Sequence, residues 1–258
     1  MLPLLREIGK RLLKEIPLIP KWKGTLPPPP KGASGDRTFP VDKKAEEIIF
    51  SMLEASGEPL TLISEEAGVV ELKGGGRLLL IDPIDGSKNA ISGIPFYCTS
   101  IAVSSGPKMK DIELSYVINL INGDEFWSAS GTFLNGKPVF AQKDDCFSLI
   151  AYEAQTPGRD IPAIMPLIGK FQKSRCLGAT ALDLAYLASG AVSVFVVPSP
   201  SRSFDFAGGW HLVRKAGGVI TDMEGKGLET LDLGLKRAST ILAAGNEALH
   251  RKALKALS

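Results

Sequence analysis

The stretch Leu78-Leu79-Leu80-Ile81-Asp82-Pro83-Ile84-Asp85-Gly86-Ser87 constrains this chain more than any other. Four apolar residues in a row read as a buried strand. Its end delivers two carboxylates, Asp82 and Asp85, into a turn where Gly86 lets the backbone approach a ligand closely. The end of a buried strand is rigid, and a rigid turn carrying two acids suits a hard divalent cation such as Mg²⁺, which takes oxygen donors. The same residues also fit an Asp-Pro/Asp-Gly surface turn. Acids elsewhere in the chain have to separate the two readings.

The bulk properties narrow the class. A chain of 258 residues, 44% hydrophobic and 22% charged, can form one large or two closely fused domains with a substantial core. Its 30 basic and 28 acidic residues leave a net charge of +2, which gives no reason to expect a nucleic-acid or membrane partner. Cys98, Cys146 and Cys176 form no C-x-x-C pair, and so sparse a set fits a reducing cytosol; a cytoplasmic location is expected. His211 and His250 are too few for a histidine-rich zinc site. Met1 to Lys14 places Arg6, Glu7, Lys10 and Arg11 among leucines, the pattern of an amphipathic helix and not of a signal peptide. The uncharged run between Asp183 and Arg202 is broken by Ser189-Gly190 and by Pro198 to Pro200, so a helix and then a strand explain it better than a membrane span.

Along the chain, Pro20 to Pro40 contains Pro27 to Pro30 in a row and then Lys31-Gly32-Ala33-Ser34-Gly35-Asp36, which favours neither helix nor paired strand. It reads as a linker or as a mobile flap over a site. A helix is expected from Val41 to about Ser56, and a short strand from Leu60 to Ser64 that ends at Glu65-Glu66. Gly74-Gly75-Gly76 precedes a strand instead of following one, so it is expected to be a hairpin turn and not a phosphate-gripping loop. Tyr97 to about Val139 alternates like consecutive antiparallel strands: Ile112 to Asn119, Glu125 to Ala129 and Thr132 to Leu134, with tight turns at Asn122-Gly123 and Asn135-Gly136. Leu149 to Glu153 is a further strand. After it the rhythm becomes helix Ala179–Ala188, strand Val192–Val197, helix Phe206–Lys215, strand Gly218–Thr221, strand Ser239–Ala243 and a helix from Glu247. The fold class expected is α+β, a layered α-β-α-β sandwich. An N-terminal domain over 1–150 would hold an antiparallel sheet and the metal site, and a C-terminal α/β domain would cover 151–258.

Four segments place acids at the ends of elements: Glu65-Glu66, Asp82 with Asp85, Asp205 where Ser201 to Phe204 turns into a helix, and Asp42 at the start of a helix. Helix capping accounts for Asp205 or Asp42 taken singly, and a solvated turn for Glu65-Glu66. Neither explains why all four sets lie at element ends.

Ser64-Glu65-Glu66-Ala67-Gly68, Ile81-Asp82-Pro83-Ile84-Asp85-Gly86-Ser87 and Phe204-Asp205-Phe206-Ala207-Gly208-Gly209, followed by Ala216-Gly217-Gly218, resemble the inositol monophosphatase family in order and spacing. That family belongs with the fructose-1,6-bisphosphatases to a Mg²⁺-dependent, lithium-sensitive superfamily. Gly178-Ala179-Thr180-Ala181-Leu182-Asp183 resembles the start of one of its helices, and Asp42 to Glu46 its early Asp-x-x-x-Glu element. The resemblance implies the sugar-phosphatase fold and metal ligands at Glu65, Asp82, Ile84 (through its carbonyl), Asp85 and Asp205. Asp42 or Glu66 would hold a third, weaker ion. Two or three Mg²⁺ ions are implied, with Mn²⁺ as a substitute and Li⁺ as an inhibitor. Glu65 and Ser87, helped by Asp42, would handle the attacking water. Asp85, Gly86, Ser87, Gly178, Ala179, Thr180, Arg202 and Asp205 would face the substrate. A small phosphate monoester and a homodimer complete what the family implies.

The chain departs from the inositol-specific pattern where a glutamate precedes the Asp205 position. Pro198-Ser199-Pro200-Ser201-Arg202-Ser203 offers no acid there, and Arg202 is either an exposed arginine or a fork for a second phosphate or a carboxylate. Gly32-Ala33-Ser34-Gly35-Asp36-Arg37-Thr38 resembles the flap of archaeal-type dual fructose-1,6-bisphosphatase/inositol monophosphatases, which makes Asp36 and Thr38 second-rank candidates. The expectation is a metal-dependent phosphomonoesterase acting on inositol 1-phosphate, fructose 1,6-bisphosphate or both. The rivals are a phosphoadenosine-type nucleotide phosphatase and a non-catalytic, metal-binding homologue.

Overall fold

The computed structural model describes residues 1–16, 31–35 and 37–257. The first sheet has eight strands: β1 (Leu60–Ser64), β2 (Gly68–Leu72), β3 (Arg77–Asp85), β4 (Cys98–Ser104), β5 (Ile112–Asn119), β6 (Glu125–Ser128), β7 (Thr132–Leu134) and β8 (Lys137–Val139), in the order β2-β1-β3-β4-β5-β6-β7-β8. All neighbours are antiparallel except β1 and β3. The second sheet is mixed and has five: β9 (Leu149–Tyr152), β10 (Lys173–Arg175), β11 (Val194–Arg202), β12 (Val219–Thr221) and β13 (Arg237–Ala244), in the order β10-β9-β11-β13-β12.

Helices cover both sheets and fill the space between them. On one side of the large sheet, α1 (Leu2–Glu15) and α2 (Pro40–Ser56) bury Leu5, Ile8, Leu12, Ile48, Ile49 and Leu53 against Leu79, Ile81 and Ile101. On its other side, Leu80, Ala102, Val117 and Phe126 meet α5 (Thr180–Ala188) and α6 (Ser203–Lys215), which also pack on Phe195, Val197 and Ile241 of the small sheet. Neighbouring residues of β3 therefore enter different layers, which is why its apolar run is unbroken and not alternating. The helix α5 is buried nearly all round, as a helix clamped between two sheets must be. The expected α-β-α-β layers are all present. A fifth, made of α4 (Pro157–Ile168) and α7 (Glu247–Leu257), closes the outer face of the small sheet through Ile164, Leu167, Leu249 and Ala253.

Two local readings change. Gly74-Gly75-Gly76 does not turn a hairpin, because β2 pairs with β1 and β3 then runs parallel to β1 on its other side. The hairpin turn is Glu65-Glu66-Ala67. The glycine segment carries the chain past the start of β1, with Gly74 and Gly75 at φ 84° and 80°. The helix α4 was hidden in the sequence by Pro162 and Pro166 in its interior, which normally argue against a helix. Its register is held by burying Ile164 and Leu167. Most of the Pro20 to Pro40 segment, Pro27 to Pro30 included, lies outside the described residues, as does Asp36.

Candidate active site

The end of β3 and the short helix α3 (Ser87–Ser92) sit where the start of α2, the β1–β2 turn and the starts of α5 and α6 converge. Gly86 makes the junction possible: at φ 89° it turns the chain from strand into helix, and a Cβ there would lie 3.1 Å from the carbonyls of Phe96 and Gly178. Asp82 is 3% exposed, and its Oδ1 has no hydrogen-bond partner. Burial pushes its pKa well above the ordinary carboxylate range, and the charges of Glu65, Asp85, Asp205 and Asp42 push it further. Five acids from four separate segments thus share one neighbourhood, with Asp82 at its centre.

Asp85 is held differently. Its carboxylate accepts the amides of Thr180, at 3.2 Å, and of Ala181, at 2.6 Å, at the start of α5. Cys98 Sγ lies 3.7 Å from its Oδ2. Burial, and after it the charge of Glu153, still raises its pKa to about 8. Glu153, just past β9, stands near the two preceding amides, those of Gly178 and Ala179, which favour its ionised form, and its Oε1 has no hydrogen-bond partner; burial outweighs the amides and raises its pKa to about 7. Two carboxylates, one from each sheet, thus flank the start of α5, with Asp85 bonded to it directly. Of Gly178, Ala179 and Thr180, expected to face a substrate, Thr180 gives its backbone donor to Asp85. Asp183 lies behind it, 0% exposed, with neither carboxylate oxygen partnered. Burial, then Glu153 and Asp85, raise its pKa well above the usual value.

Asp42 caps a helix with only one of its two oxygens. Its Oδ2 accepts the amide of Phe39 at 2.6 Å and caps α2, while its Oδ1 is buried and unpartnered. Burial raises its pKa to about 7, with the charges of Glu66 and Glu46 adding to the rise. Asp205 likewise caps α6, its Oδ2 accepting the amide of Arg202 at 2.8 Å. The hydroxyl of Ser87 donates to the carbonyl of Ile84 at 2.7 Å.

Residues 31–35 lie over this region. The amides of Ala33 and Ser34 bond the carbonyls of Glu66, at 2.9 Å, and Glu65, at 3.0 Å. Thr38 donates to the Glu66 carboxylate. Arg202 is 7% exposed, so it is not an open surface arginine, and its guanidinium donates to the Ser34 carbonyl at 2.8 Å.

Among the described residues no three acids stand close enough to form a ready-made metal cage. The donor set nevertheless fits hard divalent cations: it consists of carboxylate oxygens, and Asp82 and Asp42 each bury an oxygen that no protein donor satisfies. Residue types alone did not draw attention to Glu153, Asp183 and Cys98. For Glu153 a signal existed, because it follows a strand just as Glu65 does.

Comparison with known proteins agrees with the geometry. The model of the inositol monophosphatase family matches residues 23–258. The fructose-1,6-bisphosphatase/inositol-1-monophosphatase of Methanothermobacter thermautotrophicus is 35% identical over 242 residues, covering 88% of this chain and 85% of that protein. The inositol-1-monophosphatase of Mesorhizobium japonicum is 31% identical over 86% of this chain and 83% of its own length. A solved structure from Pyrococcus horikoshii, described as having similarities to inositol-1 monophosphatase, superposes with a TM-score of 0.80 at 29% identity, covering 98% of both chains. With the match spanning nearly the whole sequence and five acids meeting at the β3 turn, the chain belongs to the inositol monophosphatase family.

Proposed function

We propose that this protein is a metal-dependent phosphomonoesterase that hydrolyses a sugar or inositol phosphate, inositol 1-phosphate, fructose 1,6-bisphosphate or both. The observation that carries the reading is Asp82: a buried carboxylate with an unpartnered oxygen, ringed by Glu65, Asp85, Asp205 and Asp42. Such a set is costly to bury unless cations or protons neutralise it. Glu65, Asp82, Asp85, Asp205 and the carbonyl of Ile84 would hold the cations, with Asp42 or Glu66 at a weaker position. A divalent cation in this place supplies positive charge for phosphoryl oxygens and acidifies water.

The chain's own groups do the positioning. Because the Ser87 proton is committed to Ile84, its oxygen faces a water as an acceptor, which orients the water's lone pair toward phosphorus. Glu65 and Asp42 share that task. The clamp of Glu153 and Asp85 on α5 fixes the angle of the Asp85 carboxylate. The amides of Gly86 and Ser87, at the turn into α3, would face the phosphate. Arg202 and residues 31–35 would bound the leaving-group side. The two parts of the chain, 1–150 and 151–258, are read as domains that share the site. The same reading takes Mg²⁺ as the ion, two or three per site, with Mn²⁺ as a substitute and Li⁺ as an inhibitor. It also takes the protein as a cytoplasmic homodimer. Among the described residues no helix is long and apolar enough to cross a membrane.

The test is phosphate release from inositol 1-phosphate, fructose 1,6-bisphosphate and a phosphoadenosine phosphate, with Mg²⁺ or Mn²⁺ and with or without Li⁺. Turnover of either of the first two supports the reading. No release from any sugar or inositol phosphate overturns it, and full activity in Asp82→Asn overturns the site.

A further inference from the structure

Along its C-terminal half, about 8 to 15 Å along the axis from Asp205, α6 borders a cavity. It has a volume of about 210 Å³ and is walled by Lys110, Ile112, Trp210, His211, Arg214 and Lys215. Half of these walls are cations. Arg214 pairs with Glu229 at 3.1 Å and lies over the Trp210 ring, 5.9 Å from its centroid. Among the described residues, Lys110 and Lys215 have no ion-pair partner. The charge of the pocket is thus opposite to that of the acid-lined site at the other end of the same helix.

Two of the walls also carry unused buried nitrogens. Trp210 and His211 are 5% and 2% exposed, and Trp210 Nε1 and His211 Nε2 have no hydrogen-bond partner. The His211 ring is fixed from behind, its Nδ1 lying 2.7 Å from Ser128 Oγ, which in turn lies 2.7 Å from Ser115 Oγ. Nε2 is therefore the nitrogen turned away from that buried chain. Burial, helped by Lys215, lowers the pKa of His211 to about 4, so the ring is neutral at pH 7 and can carry its proton on Nε2. With the ring neutral, the charge of this cavity comes from Lys110, Arg214 and Lys215 alone, and an oxyanion is the ligand that three cations favour.

We propose that this cavity is a second binding site, for a small oxyanion of the phosphate class, held between Lys110, Arg214 and Lys215 against the Trp210 and His211 rings. The volume admits a phosphate or a small phosphate ester but not a whole nucleotide, since drug-sized ligands need about 300 Å³ or more. The site is independent of the phosphatase reading, because it needs no divalent cation.

The chain has only two histidines, so its imidazole NMR signals can be assigned and followed singly. Protein stripped of divalent cations on a chelating resin is titrated with inorganic phosphate at pH 7.5 and constant ionic strength, with chloride as the control. The expected result is a saturable shift of the His211 signals with His250 unmoved. Lys110→Ala and Lys215→Ala, both exposed and outside the acid-lined site, should each weaken binding about fivefold, the effect of losing one exposed charge contact. Shifts that match those of His250, grow linearly, or appear equally with chloride overturn the proposal. So does unchanged affinity in both variants.

Discussion

Asp85 at the end of β3 and Ala181 in α5, separated by 96 residues, are joined by a 2.6 Å hydrogen bond from the Ala181 amide. The Thr180 amide donates to the other oxygen of the same carboxylate, and both donors belong to the opposite half of the chain. Replacing Asp85 by Asn puts an NH₂ group where an acceptor is needed, and it removes a proposed cation ligand at the same time. Asp85→Asn is expected to lose on the order of 100-fold in kcat/KM. Near-wild-type kinetics would break the link between this bond and the site.

Glu153 should act through the same clamp. Glu153→Ala removes the carboxylate that stands near the amides of Gly178 and Ala179, at about 1–3 kcal/mol. For a chain of this size that corresponds to a fall in Tm of about 2–4 °C per kcal/mol. Glu153→Gln keeps a carbonyl oxygen and should recover part of both stability and kcat. The check is whether kcat falls more than KM rises in Glu153→Ala, since misplacing Asp85 harms the reacting geometry more than substrate affinity. Recovery of stability in Glu153→Gln without recovery of kcat would make Glu153 a purely structural residue.

The buried acids also set a pH dependence. Asp85 at about 8, Asp42 at about 7 and Glu153 at about 7 all lie above their unfolded values, so the folded protein holds more protons than the unfolded chain between those values. Stability from such groups is complete at low pH and is lost as pH rises through the folded pKa. His211 has the opposite sign, but its folded pKa of about 4 confines its effect to pH below its unfolded value near 6.5. Between pH 6.5 and 8.5 the acids alone govern. The Tm of cation-free protein should fall across that window, and saturating Mg²⁺ should raise it most at the alkaline end. A cation-free Tm that rises from pH 6.5 to 8.5 would contradict this assignment.

Much of this was legible in the sequence because strand ends are where backbone rigidity and acidic residues coincide. The β3 turn could be read from Leu78 to Ser87 alone, and β1, β5 and β7 have the bounds their residue patterns suggested. What stayed hidden had physical causes. Pro162 and Pro166 masked α4, whose helix depends on tertiary burial. Gly74 to Gly76 carried turn chemistry, but which strands they connect depends on pairing order, and no local signal encodes that. The convergence of Glu153 and Asp85 on the start of α5 is a relation between distant segments. The burial of Arg202 against Ser34 is of the same kind.

That contact makes a discriminating prediction. If Arg202 serves mainly to hold the Ser34 carbonyl, Arg202→Ala should weaken catalysis on inositol 1-phosphate and fructose 1,6-bisphosphate alike. The loss should be about 10-fold or more, the value of one charge-assisted hydrogen bond. If it instead grips a second phosphate, the bisphosphate alone should suffer, mainly in KM. Parallel kinetics on the two substrates decide between these outcomes, and an unchanged variant would remove Arg202 from the site.

The last prediction concerns how α6 is brought close enough to present Asp205. Gly208 lies against β4 so tightly that a Cβ there would sit 2.4 Å from Ser100 Oγ, itself buried. A methyl group must drive Ser100 Oγ from its place or push α6 away from the sheet, and overpacking of this kind costs about 1–3 kcal/mol. Gly208→Ala should therefore lower Tm by about 2–4 °C per kcal/mol lost and reduce activity through displacement of Asp205. Gly158 supplies the contrast: it lies exposed in the first turn of α4, has no left-handed φ, and a Cβ added there would meet nothing within 4 Å. Gly158→Ala should stabilise by about 0.4–1 kcal/mol, because it restricts the unfolded chain at no steric cost to the folded one. Thermal melts of the two variants side by side test the argument. Equal effects of the two substitutions would mean that the distance between α6 and β4 does not depend on Gly208.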